Sequence, residues 1–310
     1  MLRYLLSRLL NSVIVLLAII TITFFLMHAI PGGPFTGERN LPPAVLKNIE
    51  ARYHLDDPLW KQYGDYLANL ARFDLGPSFK YAGRSVNDMI RESFPVSLQL
   101  GTLSITLAVL LGIPAGSLAA LRQNKWQDYL TMCFATLGVS VPSFVVAAVL
   151  IYVFAVKLSL LPAGLWDGIE YMILPALALT AHPMAFIARL TRSSMLEVLT
   201  QDYIKTARAK GLQPVVILYR HALKNALIPV VTYMGPMAAG VLTGSFIIET
   251  IFAVPGLGRH FVTGIYNRDY TVILGITVFY SLLVIGLNLL VDLIYPLLDP
   301  RIKLTKESKN

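Results

Sequence analysis

The stretch LLNSVIVLLAIITITFFLMHAI, residues 9–30, decides the class of fold, because its 22 positions hold no Asp, Glu, Lys or Arg. A helix over it would be about 33 Å long at 1.5 Å per residue, which is enough to cross the hydrocarbon core of a bilayer. Arg3 and Arg8 precede it as in a secretory signal peptide, but the apolar core of a signal is only about 7–15 residues long and ends at a small-residue cleavage site. This run ends in a Pro-Gly-Gly-Pro sequence instead. We therefore predict that residues 1–30 form a retained transmembrane helix.

Five more apolar runs follow, and each has the length that a membrane-spanning helix of about 20 residues needs. They cover residues 97–121, 130–156, 171–190, 227–248 and 271–298. The run at 171–190 is the weakest, because Pro175, His182 and Pro183 interrupt it. None of the runs alternates apolar and polar residues as a transmembrane β-strand does. With 14% charged residues against about 25% in soluble domains, the sequence predicts an all-α integral membrane protein with six transmembrane helices.

The distribution of charge predicts the orientation of these helices. The N-terminus, the links at 121–130 and 190–227 and the C-terminal tail together hold fourteen Lys and Arg residues against five Asp and Glu residues. The loop at 31–95 holds eight of each kind. Because basic residues stay on the cytoplasmic side, we expect both termini inside and the loop at 31–95 outside. The net charge of +8 is then explained by membrane orientation, and we expect no nucleic-acid partner.

The outer loop has helical patterns of its own. Apolar residues recur at helical spacing over residues 42–53 and 58–67, and a third candidate begins near Ser85 and reaches Pro95. We predict a small periplasmic helical insertion at 31–96, between the first and second transmembrane helices. It could be an interaction surface or a packed connector, and the sequence favours neither. The remaining parts are a transmembrane core at 97–300 with an inner loop at 191–226, and a cytoplasmic tail at 301–310.

The sequence lacks the usual patterns of an enzyme. It contains no His-Glu-x-x-His, no Gly-x-Ser-x-Gly and no Gly-x-x-x-x-Gly-Lys-Ser/Thr motif, and Cys133 is its one cysteine. We therefore expect no catalytic residue, no metal site and no bound cofactor on this chain. If ATP drives the protein, the phosphate-binding loop must lie on another chain.

A carrier driven by an ion gradient is the main alternative. Such carriers place ionisable groups inside the membrane. Glu249 and Asp292 lie near the ends of their runs, where we expect each to be within reach of water. The spans carry hydroxyl groups, among them those of Ser140, Tyr233 and Thr243, which suit a transient polar passage and equally suit hydrogen bonds between helices. A membrane receptor or scaffold without transport activity is a third hypothesis.

A short polar helix is predicted in the inner loop, where residues 202–212 read DYIKTARAKGL. Asp202 is a suitable N-cap, cations follow near the C-terminal end, and Gly211 fits the left-handed position after the last turn. Ile204 and Ala207 lie three residues apart and form a modest apolar face. Such a helix, with small alanines and basic residues, is suited to docking into a groove with an acidic rim.

This stretch resembles the E-A-A-x-x-x-G loop of ABC-importer permeases, with Lys205-Thr206-Ala207 in the first three places and Gly211 in the glycine place. The Lys and Thr depart from the general motif, and the chain is more similar to the peptide and nickel branch, which favours R-T-A-R-A-K-G-L followed by R-H-A-L-K/R-N-A-L. The closest similarity is to the B-type permease subunit of bacterial oligopeptide importers. Other blocks that carry the resemblance lie at residues 29–34, 34–39, 73–78, 77–81, 94–98, 249–258 and 267–270.

The resemblance implies a type I ABC-importer permease fold and a set of partners. These are a second homologous permease subunit, two cytoplasmic ATPase subunits that bind ATP and Mg²⁺, and an extracytoplasmic peptide-binding protein. It also implies a location in the bacterial inner membrane and an oligopeptide cargo, with dipeptide or nickel-chelate cargo as alternatives in the same family.

The resemblance also implies two groups of site residues. The ATPase-coupling residues would be Asp202, Tyr203, Ile204, Lys205, Thr206, Ala207, Arg208, Ala209, Lys210, Gly211 and Leu212. The candidate pathway-lining residues are Ser140, Tyr233, Thr243, Glu249, Pro255 and Gly256.

Overall fold

A computed structural model describes residues 2–31, 33–35, 53–242 and 245–298. Residues 42–52 of the predicted helix at 42–53, Thr243 and the tail at 301–310 lie outside these residues. Within them the regular elements are helical, apart from an isolated bridge between Pro77 and Ser85. The α-helices are α1 (Leu2–Ala29), α2 (Leu59–Ala71), α3 (Val86–Leu121), α4 (Trp126–Ser140), α5 (Ser143–Leu150), α6 (Glu170–Leu199), α7 (Asp202–Ala209), α8 (Pro214–Val216), α9 (Leu223–Ala226), α10 (Ile228–Leu242), α11 (Phe246–Ile251), α12 (Leu257–Asn267) and α13 (Tyr270–Leu298). Two π-helical segments occur at Ile151–Lys157 and Ile217–Ala222.

Five helical segments of the described chain are long and apolar enough to cross a membrane. They are Leu6–Ala29, Val86–Leu121, Glu170–Leu199, Ile228–Ile251 and Tyr270–Leu290. A sixth span arises only if the pair Trp126–Ser140 and Ser143–Lys157 is counted as one, although it is bent by 109°. The all-α membrane fold is confirmed, but the prediction of one helix over 130–156 is wrong. Pro142 pushes Val141 into an extended conformation (φ −85°, ψ 123°), which ends α4.

Two other predicted boundaries also differ from the structure. The candidate helix near Ser85 is not separate from the second span, because α3 runs through Pro95 as one helix of 36 residues. Likewise α6 continues through Pro175 and Pro183 and beyond residue 190 to Leu199. Helices of membrane proteins tolerate such prolines where neighbouring groups satisfy the freed backbone. The first part of the predicted inner loop is therefore helical.

The chain divides into two compact units, residues 1–96 with 256–285 and residues 97–255 with 286–310. In the first unit, the fully buried carboxylate of Asp269 connects two blocks of the family resemblance. Ser78 Oγ donates a hydrogen bond of 2.5 Å to it, and the Phe79 backbone N–H donates another of 3.2 Å. Thr271 Oγ1 donates to the Pro77 carbonyl at 2.6 Å. These bonds fix the segment after α2 to the start of α13.

In the second unit, glycines allow helices to pack closely against α6. A Cβ atom on Gly138 of α4 would lie 2.8 Å from Ala185 Cβ, and one on Gly116 of α3 would collide with the Ala188 carbonyl oxygen. Small residues at helix interfaces are typical of membrane proteins. The guanidinium of Arg192 also donates two hydrogen bonds, of 2.5 and 2.7 Å, to the buried carboxylate of Asp128. Helix α6, which leads into α7, is thus held from two sides.

Candidate functional site

The helix α7 begins at Asp202, directly after the end of α6. Its N-cap is Gln201, with no side-chain capping bond, so the prediction that Asp202 caps the helix is wrong by one position. The Asp202 carboxylate instead accepts a hydrogen bond of 2.8 Å from Lys205 Nζ. A carboxylate in the first turn still stabilises the helix, because its negative charge lies near the positive end of the helix dipole.

The C-terminal end of α7 is closed by Gly211, as predicted. Gly211 has φ +73°, and its N–H donates to the Arg208 carbonyl at 2.9 Å. The Leu212 N–H donates to the Ala207 carbonyl at 3.3 Å. This pair of bonds is the Schellman motif, which requires a left-handed residue after the C-cap. The helix therefore stops abruptly and turns back towards Pro214, which is the first residue of α8.

One face of α7 is packed into the chain itself. Ile204 is fully buried and Ala207 is 6% exposed. They belong to a cluster of buried residues that we call the anchor cluster: Ala120, Met195, Ile204, Ala207, Ile217, Ala222 and Ala226. The predicted apolar face exists, but it docks on neighbouring helices of the same chain. Any partner must therefore meet the other face.

The exposed face of α7 is basic. Lys205, Arg208 and Lys210 are exposed, and Asp202 is the one acidic residue in the helix. Tyr203 is held at the edge, where its hydroxyl oxygen accepts a hydrogen bond of 2.9 Å from Asn225 Nδ2. The other predicted coupling residues on this exposed surface are Thr206, Ala209, Gly211 and Leu212.

A shallow cavity of about 210 Å³ adjoins the end of α7. Arg208 and Leu212 line it together with Leu121, Leu199, Pro214, Ile217 and Leu218. The cavity is mostly apolar, and Arg208 supplies its cationic side chain. The arrangement suits a protein surface that inserts an apolar side chain beside an acidic group.

Two of the candidate pathway residues come together in a second cavity. Ser140 and Tyr233 both line a space of about 460 Å³ in the second unit. Pro142, which precedes α5, Pro183 of α6 and Pro236 of α10 line the same space. Stacking against Phe186, at a ring distance of 4.0 Å, orients the Tyr233 ring. Prolines of the spans therefore lie both at this cavity and, in the case of Pro142, at the bend between α4 and α5.

His182 is a cavity-lining residue that the sequence analysis did not select. The sequence showed it only as an interruption of an apolar run. A polar residue next to Pro183 was the signal that could have identified it.

Three other candidate pathway residues, Glu249, Pro255 and Gly256, do not line this cavity. Glu249 is fully buried, and its carboxylate accepts a hydrogen bond of 2.8 Å from Ser97 Oγ. The expectation that Glu249 is within reach of water is therefore wrong. Helix α11 directs the Glu249 side chain towards Ser97 in the interior of the second unit. Pro255 is exposed, and Gly256 is the N-cap of α12. Thr243 is not among the residues that the structure describes.

The described ranges, 2–31, 33–35, 53–242 and 245–298, contain no cluster of metal-ligating side chains. In these ranges no three His, Cys, Asp or Glu side chains are grouped so that they could hold a metal ion.

Comparisons with known proteins bear on the whole chain. A family described as binding-protein-dependent transport system inner membrane component matches residues 112–304. A second family, described as the N-terminal part of a membrane component of such systems, matches residues 1–101.

Two similar proteins align with this chain over their full length. A dipeptide transport system permease protein of Bacillus subtilis (strain 168) is 55% identical over 99% of this chain and 100% of its own. An oligopeptide transport system permease protein of Salmonella typhimurium is 52% identical over 98% of this chain and 100% of its own.

A solved structure shares the fold. An inward-facing conformation of the MetNI methionine ABC transporter matches with a TM-score of 0.58 at 20% identity, covering 68% of this chain and 96% of that one.

Proposed function

The chain belongs to the family of binding-protein-dependent transport system inner membrane components, and from that premise we propose that it is the permease subunit of an ATP-driven peptide importer. ATP would be hydrolysed on separate ATPase subunits, and α7 would receive their movement. The cargo proposal is supported by the names of the similar proteins, which specify dipeptides in one case and oligopeptides in the other. We therefore propose peptides as the cargo class.

The observation that carries the coupling proposal is the division of α7 into two faces. Ile204 and Ala207 fix the helix in the anchor cluster, so that a force on α7 is transmitted to the spans. The exposed part of the helix presents Lys205 and Arg208 to the outside of the chain. A rigid helix with a buried anchor and an exposed basic face is suited to follow the motion of a partner with an acidic groove.

The connection from α7 into the membrane is short. Helix α6 ends at Leu199, two residues before the N-cap of α7, and the Arg192–Asp128 ion pair holds it against α4 near that end. Helix α4 in turn ends at Ser140, beside the cavity that Tyr233 also lines. We propose that movement of α7 changes this cavity, which would form part of the translocation pathway.

The orientation and partners follow from this proposal. We propose that both termini and the loop at 191–226 are cytoplasmic, as their excess of Lys and Arg predicts, and that residues 31–96 are outside. A second permease subunit would complete the pathway, two ATPase subunits would bind on the cytoplasmic side, and a peptide-binding protein would deliver cargo from outside.

Reconstitution in proteoliposomes tests the proposed function. The chain, a second permease subunit, an ATPase pair and a peptide-binding protein would be assembled, and uptake of a labelled peptide would be measured. We expect uptake to require ATP and to continue when ion gradients are collapsed. Uptake that stops on collapse of the gradient would instead support an ion-coupled carrier. Assembly without any uptake, with active ATPase and loaded binding protein, would support a scaffold.

A further inference from the structure

The helix α2 in the outer insertion packs directly on α1, within the segment Leu6–Ala29 that is apolar enough to cross a membrane. Tyr63 OH and Thr21 Oγ1 are joined by a hydrogen bond of 2.7 Å, and the Tyr63 ring lies 5.2 Å from that of Phe24 and 5.5 Å from that of Phe25. Phe24 and Phe25 precede the end of α1 at Ala29 by four or five residues, which is about 6–8 Å of helix. An amphipathic helix in the membrane interface buries its apolar face to about 5–10 Å. The contacts of Tyr63 with Phe24 and Phe25 therefore place this part of α2 beside the C-terminal end of the first span.

The sequence of α2 has three faces instead of two. At about 100° per residue, Tyr63, Tyr66 and Leu70 fall on one side, and all three are half-buried against the chain. Trp60, Gly64, Leu67 and Ala71 fall on a second side, and Lys61, Asp65 and Asn69 on a third. The three sides are about 120° apart. A helix in a purely aqueous insertion needs only two, one buried and one polar.

The second side is apolar and open. Trp60 is 75% exposed, Gly64 and Ala71 on the same side are exposed as well, and Leu67 is half-buried. Helix α1 also has exposed apolar residues near this end, where Ile22 and Leu26 are 58% and 61% exposed and would contact lipid. Tryptophan is enriched where a membrane meets water, because its ring is apolar and its indole N–H is polar.

The end of α2 carries a second exposed aromatic residue in an unfavourable backbone conformation. Phe73 has φ +60° and is 84% exposed. Its N–H donates to the Leu70 carbonyl at 2.9 Å, and the Asp74 N–H donates to the Asn69 carbonyl at 3.0 Å. This is a Schellman motif with phenylalanine in the position that usually holds glycine. A left-handed conformation is unfavourable for such a residue, and water gives an exposed phenyl ring no compensation.

We propose that α2 is an interfacial helix whose Trp60–Gly64–Ala71 side lies in the lipid of the leaflet at the C-terminal end of α1. The occupant of this surface is the boundary between acyl chains and headgroups, and Phe73 enters the same layer. The Lys61–Asp65–Asn69 side faces water, where Lys61 Nζ forms an ion pair with Asp57 at 2.9 Å. The outer insertion is thereby fixed to the membrane at a defined depth. This proposal does not depend on the coupling role of α7.

Spin-label accessibility in the assembled transporter tests the proposal. In a Cys133→Ser background, labels are placed by Trp60→Cys, Gly64→Cys and Ala71→Cys on one side and by Lys61→Cys, Asp65→Cys and Asn69→Cys on the other. Collision rates with oxygen, which concentrates in lipid, are compared with those of a neutral nickel chelate, which stays in water. We expect the oxygen-to-nickel ratio to be severalfold higher at the first three positions, and similar there to that of Leu26→Cys on α1.

Two results would overturn the proposal. A nickel-dominated signal at all three positions of the first side would place that side in water. Low accessibility to both reagents there would mean that another protein, such as a second permease subunit, covers it. A label-free measurement guards against a variant that fails to fold: in a Trp126→Phe, Trp166→Phe double variant, brominated acyl chains should quench Trp60 fluorescence, and unchanged fluorescence would count against lipid contact.

Discussion

Two short amphipathic helices, α7 and α2, both end in a Schellman motif. The residue in the left-handed position of the motif is small in α7 and large and aromatic in α2. In α7 the residue is Gly211, and a Cβ atom added to this glycine would meet no other atom within 4 Å. In α2 it is Phe73, with its ring exposed. Both helices also bury one apolar face against their own chain, through Ile204 in α7 and through Tyr63 in α2.

The exposed faces explain the difference. Helix α7 presents basic residues and small side chains, so its surface suits a protein that approaches closely and carries acidic groups. Helix α2 presents Trp60 and Phe73, so its surface suits lipid. The glycine at the end of α7 makes the turn without backbone strain. The phenylalanine at the end of α2 is strained, and lipid contact compensates for the strain.

The largest expected effect comes from removing the anchor of α7. Ile204→Ala should lower the local stability of the inner loop by about 2–5 kcal/mol, because it leaves a cavity in the anchor cluster. Hydrogen exchange over residues 202–212 should become faster, and peptide uptake should fall while ATPase activity continues. Ile204→Val, which is expected to cost about 0.5–1.5 kcal/mol, is the matched control. Unchanged exchange in Ile204→Ala would mean that α7 is held by something other than the cluster.

The next effect concerns Gly211. Gly211→Val forces a β-branched residue to φ +73°, which is unfavourable by about 1–2 kcal/mol or more and should open the end of α7. We expect loss of coupling, measured as peptides transported per ATP hydrolysed. Gly211→Asn tests the reason, since asparagine tolerates the left-handed region and should retain most of the coupling. Equal defects in both variants would contradict the backbone explanation.

Phe73→Gly should stabilise the C-terminal end of α2, whereas the two changes in α7 destabilise that helix. It relieves the left-handed strain but adds the conformational entropy of glycine to the unfolded chain, so the net gain should be about 0.5–1 kcal/mol. Hydrogen exchange at residues 69–74 should slow in detergent, where no bilayer is present. In a bilayer the gain should shrink or reverse, because the ring is lost from the lipid. An equal gain in stability in detergent and in a bilayer would show that Phe73 does not lie in the proposed interface.

The smallest effect is electrostatic. Arg208→Glu should weaken association with the ATPase pair by about 1 kcal/mol or less per charge contact, and raised salt should reduce the difference. Binding of the purified ATPase at low and high ionic strength measures this. Lys61→Glu on α2 is the matched control and should leave ATPase binding unchanged. An equal loss in both variants would indicate a general effect of net charge.

Much of the fold was predictable because its signals are local. The apolar runs identified the spans, and Gly211 identified the end of α7, since few other residues adopt a positive φ. The break at Pro142 is also a local signal, since a proline disfavours the helical conformation of the residue before it. Helix α2 was predicted from the spacing of its apolar residues, although the helix begins at Leu59, after Pro58.

The candidate sites were predictable only in part because they depend on contacts across the chain. The spacing of Ile204 and Ala207 predicted an apolar face but not whether that face meets the chain or a partner. The same limit applies to Glu249, whose burial depends on Ser97, 152 residues away. The meeting of Ser140 with Tyr233 required the bend after α4 and the packing of α10.

Site-directed photocrosslinking tests the central claim, that α7 couples the chain to an ATPase through its exposed face. In a Cys133→Ser background, a benzophenone maleimide would be attached at Ala209→Cys on the exposed face of α7, and at Ala68→Cys on α2 as a matched exposed alanine. Illumination of the assembled transporter should link the Ala209→Cys variant to an ATPase subunit, while the Ala68→Cys variant should give no ATPase adduct. No ATPase adduct from Ala209→Cys in a complex that hydrolyses ATP and transports peptide would contradict the account.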